Sequence, residues 1–190
     1  SMYYQNHAPQ TITYNAFKKP VHIQEANKGS VDFTYGPLLN RTHAYYGGVQ
    51  EEKTERRYHK LYSSLFPIEI IEDHENNTVK TISYIQGDAY TAPIAHIKQT
   101  GSNAIDEYHY LHRDYLGSIL AITDSAGGIK EQRQFGAWGQ VDGFVDYTGN
   151  TTFNHSSLIG RGYTGHEHFF EVSLIHMNGR MYDANLGRFL

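Results

Sequence analysis

Cysteine is absent from this 190-residue chain, so disulfide staples, thiolate-ligated zinc and a thiol nucleophile are all excluded. No apolar run approaches the roughly 20 residues that a membrane-spanning helix needs. The start at Ser1-Met2 does not read as a signal peptide. No stretch of ten or more residues sustains apolar positions at i, i+3, i+4 and i+7, which leaves little room for α-helix. The formal charge of −4 gives no general attraction to a phosphate backbone, so nucleic acid is not an expected partner. One local exception is the basic run KTERRYHK from Lys53 to Lys60. Also missing are a Gly-x-Ser-x-Gly elbow, a phosphate-binding glycine loop, a calcium loop and any Asp-Pro dipeptide.

What is present points to β-structure. Tyrosine reaches 16 residues and glycine 18, against one tryptophan and five prolines. Aromatic side chains suit a pleated, half-buried surface, and glycine supplies the positive-φ positions of hairpins. Ile12 and Tyr14 alternate with Thr11 and Thr13; Asn27-Lys28-Gly29-Ser30 turns the chain; Val31, Phe33 and Tyr35 resume the alternation on one face. Tyr14 and Tyr35 occupy similar slots, in TITYNAFKK and DFTYGPLLN, 21 positions apart, which is the signature of a repeated β-unit. Further along, short apolar runs are separated by turn signals at Asp73 to Asn77, Gln86-Gly87-Asp88, Gly101-Ser102-Asn103 and Asp124 to Gly128. The polar, glycine-rich stretch from Trp138 to Ser157 predicts a longer loop, with one helical turn near Ser156-Ser157-Leu158. The chain reads as one unit, with degenerate repeats over residues 1–107 and better-defined motifs over 108–190.

Two of those motifs, YLHRDYLGSILAITDSAGGIKEQRQFGAWGQ and RGYTGHEHFFEVSLIHMNGRMYDANLGRFL, resemble the YD-repeat or Rhs family, in particular its Rhs-associated core region. The resemblance implies an all-β fold, an antiparallel sheet of YD-type hairpins that forms a curled fragment of a hollow shell. In such proteins the shell encloses a variable C-terminal toxin, as in bacterial contact-dependent effectors and the C component of insecticidal toxin complexes. It implies an exported bacterial protein whose partners are the toxin of the same polypeptide and the rest of the shell. It also implies a chain that ends at the outer limit of the shared region, before a self-cleaving aspartyl segment. The motif residues His112, Arg113, Asp114, Gly117, Gly165, Gly179, Arg180, Tyr182, Asp183, Gly187, Arg188 and Phe189 are then structural, with Gly117 taking a left-handed turn conformation and Asp114 accepting from Arg113 or from turn amides. No catalytic residue, cofactor or metal is expected.

Competing chemistry is weaker. His166-Glu167-His168 with His176 invites a metal reading, but the helical motif needs two histidines four apart, and scattered surface or turn histidines account for the pattern better. On a strand His166 and His168 would share a face. Exposed tyrosines holding carbohydrate or a cell-surface partner are the alternative function. The strand edges of a fragment of a continuous wall should make copies self-associate.

Overall fold

The computed structural model describes residues 9–101, 104–145, 151–152 and 157–190. It is all-β. Thirteen strands follow one another in a single sheet: β1 (Gln10–Tyr14), β2 (Pro20–Glu25), β3 (Gly29–Tyr35), β4 (Arg41–Tyr46), β5 (Tyr58–Tyr62), β6 (Ile68–Asp73), β7 (Thr78–Ile85), β8 (Ile94–Gln99), β9 (Ile105–Arg113), β10 (Ile119–Thr123), β11 (Ile129–Phe135), β12 (Val141–Val145) and β13 (Thr151–Thr152). Each pairs antiparallel with the next, and β1 does not meet β13, so the sheet is a meander with two ends rather than a barrel. A second sheet of four strands, β14 (Glu167–Phe169), β15 (Leu174–Met177), β16 (Arg180–Asp183) and β17 (Arg188–Phe189), lies against its inner face.

One turn recurs along the meander. In Asn15–Lys19, Gly36–Asn40, Asp114–Ser118, Asp124–Gly128 and Gly136–Gln140 the first N–H donates to the fifth carbonyl, and the fourth N–H donates to the first carbonyl. The fourth residue is left-handed each time: Lys18 (φ 56°), Leu39 (φ 59°), Gly117 (φ 86°), Gly127 (φ 84°) and Gly139 (φ 88°). This is the three-residue hairpin loop closed by a bulge, and the ladder shifts register beside each copy. The 21-residue spacing of Tyr14 and Tyr35 has its cause here, because each tyrosine is the strand residue just before one such turn. An Asx side chain reinforces three of the turns: Asn15, Asp114 and Asp124 each accept from two amides through Oδ1.

The expected loop from Trp138 to Ser157 is corrected in part. Residues 141–145 form β12, because Gly143, Phe144 and Val145 pair in register with Gln134, Arg133 and Gln132 of β11, and Val141 pairs with Phe135 across a register shift. Residues 158–160 make bends rather than a helical turn, and Ser156 lies outside the described residues. Short 3-10 turns that periodicity does not anticipate occur at Lys53–Glu55, Tyr163–Gly165 and Phe170–Val172.

The core has an unusual layout. Ile82, Tyr84, Ala95, Ile97, Leu111, Ile119 and Ile122 of β7 to β10 form one apolar cluster, capped by Ile159. Ile23, Val31, Phe33 and Ala44 of β2 to β4 form another, packed on Phe169, Leu174 and Met181 of the small sheet. The strands between them, β5 and β6, put the charged Lys60 and Glu69 on the inner face beside Ile71.

The repeated turn can be weighed at Gly127, where an added Cβ meets nothing within 4 Å and only the backbone is tested. Gly127→Ala should lower stability by about 1 kcal/mol in urea denaturation, the cost of a left-handed L-residue. Gly160→Ala, equally open and with no positive φ, should stay within about 0.5 kcal/mol of the parent or gain slightly.

Candidate functional site

Where the two apolar clusters part, the wall and the small sheet meet through charge. Lys60 Nζ donates to Glu167 Oε1 at 2.5 Å and lies 2.8 Å from Glu69 Oε2. Arg161 donates to Glu69 Oε1 through Nε at 2.8 Å and Nη2 at 2.5 Å, and Arg41 Nη1 reaches Glu167 Oε2 at 2.8 Å. The Tyr62 hydroxyl donates to Glu167 at 2.8 Å and that of Tyr84 to Glu69 at 3.3 Å. All four charged residues at the centre are sequestered: Lys60 is 1% exposed, Glu69 3%, Glu167 3% and Arg161 5%. The Arg41 guanidinium, with its side chain 9% exposed, lies 4.2 Å from the centre of the Tyr62 ring.

Local structure delivers each group. Lys60 and Glu69 are strand residues of neighbouring β5 and β6 whose alternation turns them inward. Glu167 opens β14 beside His176. Arg161 sits at the end of a strap, residues 157–161, that is tied to β11. There Arg133 donates to the Ile159 carbonyl at 2.7 Å, to Ser157 Oγ at 2.9 Å and to the Arg161 carbonyl, while Glu131 accepts from the Leu158 amide at 2.8 Å. The Gly162 carbonyl then receives the Ile119 amide at 3.1 Å, which joins the strap to β10.

Three cations surround two carboxylates, and the electrostatics follow. Burial alone would raise the Glu167 carboxyl, but Lys60, Arg41 and Arg161 outweigh it and hold its pKa down to about 2. Burial opposes ionisation of Glu69 as well, and Arg161 with Lys60 brings it below the ordinary carboxylate range. Burial pushes the phenols of Tyr62 and Tyr84 well above their usual value, against Arg41 at Tyr62 and with Glu69 adding at Tyr84, so both stay protonated donors. A cavity of about 430 Å³ borders Lys60 and Glu167, and another of about 710 Å³ borders Arg41, Glu69 and Arg161. The arrangement fixes charge. General acid–base work by paired carboxylates requires one of them to hold a proton, whereas here both are held ionised.

The residues named from sequence are spread over several places. Asp114 accepts from the amides of Leu116 and Ser118 at 2.9 and 2.8 Å, and Gly117 is the left-handed residue of that turn. Arg113 turns away from Asp114 and donates to the carbonyls of Gly117, Ala89 and Ala92, tying the 86–92 loop to β9. His112 Nε2 meets Thr123 Oγ1 at 2.9 Å across β9 and β10. Asp183 accepts from Asn185 and Leu186, Gly187 has φ 64° and packs under Trp138, and the Tyr182 hydroxyl donates to the Trp138 carbonyl. Arg180 lies over the Phe189 ring at 4.1 Å, Arg188 pairs with Asp183 across β16 and β17, and Gly165 (φ 72°) ends a 3-10 turn. At the Asn178-Gly179 turn the left-handed residue is Asn178 (φ 59°), with Gly179 following it.

The three histidines considered for metal do not converge. His176 pairs directly with Glu167, and strand alternation sets that pair on the face opposite to His166 and His168. They are not surface groups either. His176 is 2% exposed, and His168 accepts from the Tyr163 amide at 3.0 Å with its pKa driven down to about 3 by burial and by Arg133. The basic run likewise fails as a solvent-facing patch, since Arg56 is buried against Asp32 and the Tyr45 carbonyl and Lys60 lies in the ion network.

No protein-family model matches the chain, and no curated protein sequence matches it. The fold does have solved counterparts. A TcdB2-TccC3 crystal structure superposes with a TM-score of 0.73 at 14% identity over 95% of this chain, and a related one that carries Cdc42 gives 0.72 at 14%. The Photorhabdus luminescens Tc holotoxin pore gives 0.73 at 13% over 95% of the chain. The chain spans only about 9% of the length of the TcdB2-TccC3 chains, and at such identity the likeness is one of fold.

The network ties stability to pH on the acid side. Glu167 has a folded pKa near 2, below its ordinary value of 4.5, so its contribution is complete above about pH 4.5 and is lost as pH falls through 2. Urea denaturation from pH 7 to pH 2 should show stability declining below about pH 4.5, and Glu167→Gln should flatten that decline. An identical pH slope in parent and variant would contradict the assignment.

Proposed function

We propose that this chain is a non-catalytic wall segment of an Rhs-type shell, the encapsulating part of a bacterial polymorphic toxin or toxin complex that is exported to act on other cells. The observation that carries the reading is the superposition of 95% of the chain on TcdB2-TccC3, a toxin-complex structure. It is supported by the hairpin-by-hairpin meander, in which, among the described residues, β1 and β13 are each paired on one side only, as strands of a longer wall would be. The sequence motifs that resemble the Rhs-associated core agree with it: HRDYLGS builds one copy of the repeated turn, and RGYTGHE delivers Arg161 and Glu167 to the inner face. In this reading the partners are the remaining wall and a toxin carried by the same polypeptide. The two inner carboxylates, each neutralised by cations, act as a clasp between the wall and the small sheet.

A second reading, a carbohydrate- or cell-surface-binding module, draws on the exposure of Tyr108, Tyr110 and Tyr115, at 53, 42 and 96%. A glycan array separates the two, since a wall segment gives no saturable signal.

Self-cleavage is the sharper test. An aspartyl centre needs two carboxylates that share a proton, and the wall reading places such a pair outside this chain. Purified 190-residue protein should stay one intact mass on long incubation from acidic to neutral pH. Scission at a defined bond, detected by mass spectrometry, would overturn the reading of an inert wall.

A further inference from the structure

Beyond the ion network, a cluster of ligating side chains occupies the opposite face of the same two strands. His59 of β5 and Glu72 of β6 are direct cross-strand partners, so their side chains stand together on the face away from Lys60. His74 follows in the turn after β6. His59 Nδ1 is 2.7 Å from Glu72 Oε2, His74 Nε2 is 3.8 Å from the same oxygen, and the three ligating atoms lie within 4.8 Å of one another. A cation with ligands at about 2.0–2.1 Å in tetrahedral geometry spaces them about 3.4 Å apart, so only small side-chain adjustments separate this arrangement from a coordination sphere.

The ring nitrogens that face away from the carboxylate are held as well. His74 Nδ1 is 3.1 Å from the Arg56 carbonyl, to which it can only donate, so Nε2 carries the free lone pair toward Glu72. His59 Nε2 lies 2.9 Å from His43 Nδ1, and the ring stacks on Tyr45 of β4, its direct cross-strand partner, with centroids 4.4 Å apart. Fixing the distal nitrogen of each imidazole is how metal-binding histidines are oriented. The side chains of His59, Glu72 and His74 are 16, 39 and 45% exposed, which leaves the remaining coordination position open to water.

We propose that His59, Glu72 and His74 form an outer-face site for a late first-row divalent cation of the Zn²⁺ type, with His43 as a positioning residue behind His59. To bind, His59 offers the Nδ1 lone pair to the cation as the Nε2–H tautomer, which donates to His43 Nδ1, and any proton displaced from Nδ1 passes to solvent. Two imidazoles and one carboxylate favour Zn²⁺ over Mg²⁺ or Ca²⁺, which prefer oxygen ligands. The ion would staple β5, β6 and the following turn from outside, without entering the core.

Zinc chloride titrated into the full chain by calorimetry tests the site, with Co²⁺ as a spectroscopic substitute. One saturable site with micromolar affinity and a tetrahedral Co²⁺ absorption band are expected. His59→Ala and His74→Ala should each abolish it, and His43→Ala should weaken it by about 10- to 100-fold. His96→Ala, at another histidine paired to a carboxylate, should leave it unchanged. Circular dichroism on every variant distinguishes loss of binding from loss of fold, which the partial exposure of these side chains argues against. Absence of saturable binding at micromolar Zn²⁺, or binding that survives both His59→Ala and His74→Ala in folded protein, overturns the proposal.

Discussion

A carboxylate taken out of water must find positive charge, and in this protein two of them do so where the wall and the inner sheet meet between the two apolar clusters. Glu167 comes from the small sheet and meets Lys60 and Arg41 of the wall; Glu69 comes from the wall and meets Arg161 of the strap. Glu167 draws its cations from the wall, and Lys60 is shared between Glu167 and the wall's own Glu69, so the small sheet does not satisfy its own charge. Such a network adds little net stability over a well-packed apolar contact, because desolvation offsets most of the attraction. What it supplies is registration. Sliding the small sheet by one residue would turn Glu167 away and leave Lys60 with a single carboxylate.

The apolar clusters gain meaning from that constraint. Ile82, Ile97 and Ile122 on one flank and Ile23, Val31 and Phe33 on the other are generic aliphatic and aromatic surfaces that many partners could cover. Burial drives the small sheet and the strap onto the wall at roughly 25 cal/mol per Å². The charges between the clusters decide where they land. The strap obeys the same logic at a smaller scale, since Arg133 and Glu131 of β11 satisfy the carbonyls and amides of residues 157–161 that no strand pairs with.

Much of the wall was legible in the sequence because a meander is made of local decisions. Period-two alternation in Val31, Phe33 and Tyr35, and turn residues such as Asp114 and Gly117, each act within a few positions. The 21-residue spacing of Tyr14 and Tyr35 marked a turn whose geometry then recurred, even where Lys18 and Leu39 take the left-handed slot without glycine. The ion network was not legible, since Lys60 and Glu167 stand 107 positions apart and nothing local separates a buried lysine from a solvated one. KTERRYHK showed only as a local basic run for that reason. Likewise RGYTGHEHFF drew attention to its histidines, while the chemistry lies in Arg161 and Glu167. The β12 strand was hidden by its glycine and aspartate, which tertiary pairing with β11 overrides.

Amide hydrogen exchange on Glu167→Gln tests most directly whether exchanged charges fix the small sheet to the wall. The replacement is nearly isosteric and leaves Lys60, Arg41 and Arg161 facing the single carboxylate of Glu69. It should therefore cost about 3–5 kcal/mol, felt first where the sheets meet. Protection of the β14 to β16 amides should collapse by several orders of magnitude while β7 to β10 retain theirs. Unchanged protection of β14 to β16 in the variant would contradict the account.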